Sequence, residues 1–500
     1  MRISTALRSG FRLPDRHPVT VLPFYLLTAS VGVVVRVPLF VGVAVAVAVL
    51  SSTGRLDAFA EGIQRVDFAA IDAENPTIPP ELGEALTVLV TPTTVAVLAL
   101  SVLASLVVGL VTTAVVRAGT LSAVLAAIDG EEPTVGGVRG ASRLWRPFVA
   151  FLLLRSVLFG GLFLVAAVVA VVLVMVTTSE VVQVLLVGTV VLVALGFALV
   201  IGLLLAFTEQ SLVVDEAGLV GALRASVRFP FRRPVDFLFY ALVAGAVLVG
   251  NGIVVSTAGA LGVAQAGALL SVLVVSPIFD GFKTSLYAER GLSERDDERA
   301  SYRRRSVART RDGLGALGRF VVEHPVWNLV ATLVLAGSIL AGYAATSGYG
   351  IQIGAPGDVA GVFGTFPLNT FVNIAANNWL VAAGSAYGGL AFGVPAAVSL
   401  AVNGLLVGAL AGIFELTPFL ALVAPHGVVE LPGLVVSGAL GLHLGRVGWR
   451  AFRGRESATS VAEQLQHAFR ILVGLAVVFV VASFIEAFLT PRIAAVVLGG

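Results

Sequence analysis

The residues best suited to chemistry are His426 and Glu430, four apart in PHGVVELPG, together with Glu486 in SFIEAFLTP. A spacing of four puts the imidazole and the carboxylate on one face of a helix, within reach of each other or of a third group. Asn377, Asn378 and Asn403 add amides to the same otherwise apolar half of the chain, completing a candidate intramembrane polar cluster. Two chemistries suit such a set: a hydrogen-bonded clamp between helices, or a site for a proton or cation. One His with Glu430 and Glu486 just reaches the three ligands that a metal centre needs. HGVVE is nevertheless not HExxH, because the second His is missing and the Glu stands in the wrong place. His17, His324 and His467 are placed near the cytoplasmic face, and His443 lies about 25 Å beyond His426 along a continuous helix, so a three-His zinc centre requires the segment to fold back. With no cysteine there is no disulfide, thiolate site or cysteine nucleophile. No GxSxG, P-loop or Rossmann context occurs, and GAPGDVAGVFG is a glycine-rich loop without a Lys-Ser/Thr ending. The chain is therefore read as non-enzymatic, with no catalytic residue, cofactor or metal assigned; an intramembrane metalloenzyme is the alternative.

The elements that carry these residues must sit in lipid. Of 500 residues 57% are hydrophobic and only 12% charged, half the charge of an ordinary soluble domain. No soluble fold hides that much apolar surface. This excludes a free cytosolic enzyme, a secreted mini-domain and a nucleic-acid-binding module, as does a net charge of only +2. Runs of about 20 apolar residues fall at 21–50, 86–113, 148–177, 182–207, 237–256, 259–280, 326–345, 368–387, 389–411, 416–445 and 469–490. The first is too long for a signal-peptide core and is read as a retained span. The eighth carries Asn373, Asn377 and Asn378 among its apolar residues and is the candidate for an amphipathic or re-entrant piece, so the expectation is an all-α polytopic membrane protein of about eleven spans, with ten as the alternative.

Arginine-rich stretches 281–325 and 446–468 contrast with the acidic loop 52–85 (Asp57, Glu61, Asp67, Asp72, Glu74, Glu81, Glu84) and with 346–367, where Asp358 has no basic companion. Basic loops face the cytoplasm, which places the N-terminus inside. The mixed charges of 288–313 read as a solvated cytoplasmic helix or linker between two bundles, a six-span unit over 1–287 and a five-span unit over 314–500. Connections 121–151 and 211–239 both read as short basic amphipathic helices at headgroup level. Arg36, followed by Pro38, predicts a kink with a partner in the bundle, with a functional charge as the other reading. Gly404, Gly408 and Gly412 recur every four residues as a face for close helix packing. Pro418, Pro425 and Pro432 predict a helix broken inside the membrane, with Pro425 opening a new segment.

FVNIAANNW, VNGLLVG, PHGVVELPG and SFIEAFLTP resemble the stage II sporulation protein M family of integral membrane proteins, over about 320–495. The resemblance implies a five-span layout for that region and matches the family's asparagines to Asn377, Asn378 and Asn403, its His and Glu to His426 and Glu430, and its late Glu to Glu486. The founding member is associated with engulfment in sporulating bacteria, where it holds cell-wall-degrading partners in the membrane; no wall-hydrolase domain accompanies the region in this sequence. Residues 1–290 resemble the multi-span region attached to some glycerophosphodiesterases and similar haloarchaeal membrane proteins, without the catalytic domain. Together these imply a multi-pass cell-membrane scaffold or assembly protein of the envelope. Its expected partners are membrane lipids, other envelope membrane proteins and further copies of itself, and no nucleic acid. The alternative is a transporter or lipid- or solute-handling protein with a polar site around His426 and Glu430.

Overall fold

The computed structural model describes residues 3–66, 79–292, 302–348 and 367–498. Asp67, Asp72, Glu74, Asp358, the glycine-rich loop 354–364 and residues 293–301 of the charged stretch lie outside the described residues. Every regular element among the described residues is a helix. The first half contains α1 (Ile3–Arg16), α2 (Pro18–Ser52), α3 (Arg55–Gln64), α4 (Pro80–Thr87), α5 (Pro92–Asp129), α6 (Pro133–Val176), α7 (Glu180–Leu204), α8 (Thr208–Val214), α9 (Leu219–Arg232), α10 (Pro234–Ala260), α11 (Ala264–Leu270) and α12 (Ser276–Ala288). The second contains α13 (Tyr302–Glu323), α14 (Pro325–Ser347), α15 (Pro367–Gly388), α16 (Val394–Ile413), α17 (Leu416–Phe452), α18 (Ala458–Phe484) and α19 (Thr490–Leu498). Single π-helical turns, Ser271–Val275 and Ile485–Leu489, join α11 to α12 and α18 to α19. Proline opens α2, α4, α5, α6, α10, α14 and α15, where its fixed φ suits the first helical turn and its missing N–H is not needed.

Ten helices among the described residues are long and apolar enough to cross a membrane: α2, α5, α6, α7 with α8, α10, α11 with α12, α14, α16, α17, and α18 with α19. The eighth sequence segment, α15, is left out by composition, yet it runs from one end of the bundle to the other. Near its start the Asn373 side-chain oxygen accepts from the backbone N–H of Gln265 (2.9 Å) at the head of α11. Further along, Trp379 Nε1 donates to the Leu472 carbonyl (2.7 Å) and the Tyr387 hydroxyl to the Leu465 carbonyl (3.1 Å), so α15 lies antiparallel on α18. It ends in a turn where Phe392 packs on Trp449 and Phe452 (ring centroids 5.4 and 5.5 Å) and Arg453 covers Trp449, the mixture of rings and arginine found at a membrane interface. Protein rather than lipid surrounds α15, which is why it tolerates amides.

The prolines do not break α17. Pro418 falls in its first turn, and Pro425 and Pro432 lie inside one continuous helix of 37 residues. Each proline removes one backbone bond, a loss that membrane helices absorb when neighbours pack around them. α2 likewise passes through Pro38. Arg36 is exposed on its surface and forms no ion pair among the described residues, contrary to the buried partner expected for it.

The first expected headgroup helix is absent as a separate element. α5 and α6, at 38 and 44 residues, form a hairpin about 60 Å long, twice the hydrocarbon thickness. Gly137 meets the ring of Phe24 and Gly140 faces Ser122 so closely that a Cβ has no room. This docking carries α6 unbroken through Trp145 and Pro147. The second expected helix is present as α9, which buries Ala222, Ser226 and Phe229.

From Tyr302 onward the charged stretch forms the start of helix α13. Its Gly313 sits against α18, where an added Cβ would stand 2.9 Å from the Arg470 carbonyl oxygen and the Gly474 nitrogen. The core is continuous across the sequence boundary near Leu314: Phe24, Leu26 and Leu27 of α2 and Val116 and Ala123 of α5 share one buried cluster with Trp379, Tyr387, Leu440, Leu472 and Phe479.

Candidate functional site

α17 carries His426 and Glu430 one turn apart, and α18 returns antiparallel beside it, with the Phe479 ring against Gly433. The π-helical turn Ile485–Leu489 contains Glu486. Such a turn takes in an extra residue and re-phases the helix, a feature frequent at functional sites. One ligand atom from each of His426, Glu430 and Glu486 lies within 4.8 Å of the other two. His426 Nδ1 and Glu486 Oε2 are buried and have no hydrogen-bond partner among the described residues. His426 stands about 15 Å along α17 from its start, in a helix long and apolar enough to cross a membrane. Phe371 of α15 with Phe484 and Phe488 forms an aromatic wall on the same end of α18 (centroids 5.0 to 6.3 Å).

The three asparagines are not hydrogen-bonded into this group. Asn377 donates to the Asn378 side-chain oxygen (3.2 Å), and Asn403 donates to the Ser399 carbonyl on its own helix (2.8 Å). No hydrogen bond links His426 to Glu430 among the described residues. His443, far along the unbroken α17, meets instead His324 (ring centroids 4.7 Å, edge-on) and Gln464 (3.3 Å).

A second constellation escaped the spacing argument. Arg117 of α5 contacts Glu209 at 2.6 Å and Asp280 at 3.0 Å, and the Tyr25 hydroxyl donates to Asp280 (3.1 Å). Glu209, Asp280 and Lys283 are each less than a tenth exposed. Ser226 of α9 sets the geometry: it donates to the Leu204 carbonyl at the end of α7 (2.7 Å) and accepts from the Phe207 N–H (3.0 Å). These bonds satisfy the groups freed where α7 stops and let α8 turn Glu209 towards Arg117. The available signal was Lys283, the one lysine of the chain, three residues from Asp280 inside an apolar run.

Comparison with known proteins adds three findings. No solved structure matches the chain. An uncharacterized protein of Methanocaldococcus jannaschii is 27% identical over 129 residues, covering 25% of this chain and 72% of that protein. Residues 314–491, the stretch that holds His426, Glu430 and Glu486, match the family model described as Stage II sporulation protein M.

Proposed function

We propose that the protein is a multi-pass protein of the cell membrane that binds a divalent cation at His426, Glu430 and Glu486 and carries it across, acting as a transporter and not as an enzyme. The observation that supports this reading is the convergence of the three ligand atoms within 4.8 Å on helices long and apolar enough to cross a membrane. Two carboxylates this close in a low-dielectric setting stay ionised together only beside a counter-charge; without one, one of them holds a proton. Among the described residues no arginine or lysine pairs with either. A dication neutralises both, and one imidazole nitrogen with two carboxylate oxygens suits a first-row divalent metal, borderline Zn²⁺ through the imidazole or harder Mn²⁺ through the carboxylates. The unused Nδ1 of His426 and Oε2 of Glu486 also favour a ligand site over a clamp, since a clamp gains its strength from completed hydrogen bonds.

The scaffold reading, with envelope membrane proteins or further copies as partners, draws on the family relationship and on the glycine-faced packing of α14 and α16. The experiment separates the two. Chelator-stripped protein is titrated with Zn²⁺ and Mn²⁺, and uptake of the same ions into proteoliposomes is followed with an internal metal-sensitive dye. Metal binding with uptake, both reduced tenfold or more in Glu430→Gln and Glu486→Gln, is the expected result. Binding without uptake returns the site to a structural role in a scaffold. Affinity unchanged in both variants overturns the site.

A further inference from the structure

The N-terminal half holds a cavity of about 450 Å³. Its wall brings together Arg155 and Phe151 of α6, Glu209 of α8, Tyr240 of α10 and Lys283 of α12. The Glu209 carboxylate is held by Arg117 at 2.6 Å. Arg155 and Lys283 have no ion-pair partner among the described residues, so the wall presents two cations to the space. Lys283 is 8% exposed, and its ammonium stands 5.9 Å from the centres of the Phe207 and Tyr240 rings. Ring faces hold a cation only weakly compared with a carboxylate or phosphate oxygen. The carboxylates that act on Lys283 from a distance, Glu209 and Asp280, are both engaged by Arg117, so neither closes an ion pair with the ammonium.

The cavity's height is set by its elements. Lys283 lies five residues from the end of α12, about 8 Å along the helix, at the end of the bundle where Arg233 pairs with Glu289 and Arg290 with Asp129. That is the arginine-rich, cytoplasmic end. Its rim on α6 and α7, at Ser156, Phe159 and Gly202, adjoins the exposed apolar residues Val157, Leu158, Leu199 and Val200. The space therefore combines cations at inner-headgroup depth with a border of lipid-facing side chains.

We infer that this cavity is a binding site for a phosphate-bearing anion, held by Lys283 and Arg155 with the Tyr240 hydroxyl as a further donor. The phosphate arrives either as the headgroup of an anionic phospholipid entering sideways between α6 and α7 or as free phosphate from the cytoplasm. The site is independent of the cation site on α17 and α18.

The test uses the full chain in two arms. In the first, protein reconstituted in nanodiscs of phosphatidylglycerol and phosphatidylcholine is released and weighed by native mass spectrometry to count retained lipid. In the second, lipid-stripped protein is titrated with inorganic phosphate. Selective retention of phosphatidylglycerol identifies the headgroup as the source, and saturable binding of phosphate without lipid retention identifies the free anion; either supports the site provided the variants respond. Lys283→Met and Arg155→Gln are expected to lower binding about tenfold each, while the exposed Arg228→Gln on α9 leaves it unchanged. Arg155 is itself exposed, so its variant keeps the test decisive where Lys283→Met does not fold. Binding in both arms that is indifferent to Arg155→Gln, or absent in both arms, overturns the proposal.

Discussion

Arg117 answers two carboxylates at once, and its removal strands both. Glu209 and Asp280 are buried on either side of it, and Lys283 is not close enough to form an ion pair with either. Breaking a buried charge pair from one side costs about 3–5 kcal/mol, because the remaining charge stays desolvated. Arg117→Met is accordingly expected to lower the thermal midpoint sharply in detergent, followed by intrinsic fluorescence, whereas Arg117→Met with Glu209→Gln and Asp280→Asn recovers much of the loss. A single variant as stable as the parent would show that the two carboxylates do not depend on the guanidinium. This cluster was hidden from the sequence for a plain reason: its members are 92 and 163 residues apart from Arg117, and only packing brings them together. His426 and Glu430 were legible because helical spacing of four is a local rule. Glu486 was legible through the resemblance of its motif. The asparagines shared that resemblance, but Asn377 and Asn403 spend their amides on neighbours within their own helices.

At the scale of elements, composition located the helices well and misjudged their interruptions. Proline was read as a break in α17, yet the rule that a proline ends a helix is derived from water, where the freed carbonyl and the alternative chain path are both available. In lipid a helix has little alternative, and the chain continues. The stripe Gly404, Gly408, Gly412 was legible and finds its partner in α14, with which α16 runs parallel: a Cβ on Gly404 would stand 2.7 Å from the Leu335 carbonyl oxygen, and one on Gly408 1.9 Å from that of Ile339. The opposing atoms are backbone, so the helices themselves must part. Gly408→Ala is expected to destabilise by about 1–3 kcal/mol as an overpacked contact. Gly337→Ala on α14, where a Cβ meets nothing within 4 Å, gains roughly 0.5–1 kcal/mol from reduced backbone freedom. Thermal unfolding of the two side by side checks the interface, since equal effects of the two alanines would mean that α14 and α16 are not in this register.

Among the described residues the arginine-bearing connections gather at one end of the molecule, the end that the arginine asymmetry of the sequence assigns to the inside. Arg305 meets Asp15 at 3.3 Å, Arg290 meets Asp129 at 2.5 Å, Arg143 meets Glu216 at 2.8 Å, and Gln466 of α18 donates to Glu132 and Thr134 of the α5–α6 hairpin at 2.9 Å. These exposed pairs contribute little energy individually. Their value is topographic, because connections from both halves of the sequence gather on one face, as an inside assignment requires. The parity of crossings then turns on α15. If it spans, three crossings (α15, α16, α17) separate Leu368 from Arg455 and the two lie on opposite sides. If it enters and returns, two crossings separate them and they share a side. The chain contains no cysteine, so single cysteines report without background. Leu368→Cys, at an exposed position in the first turn of α15, and Arg455→Cys, in the exposed turn before α18, are labelled with a membrane-impermeant maleimide before and after permeabilising cells. The expected result is that Leu368→Cys reacts from outside and Arg455→Cys only after permeabilisation. Reaction of both from one side would demote α15 to a re-entrant helix, and with it the depth assigned to the asparagines that α15 carries.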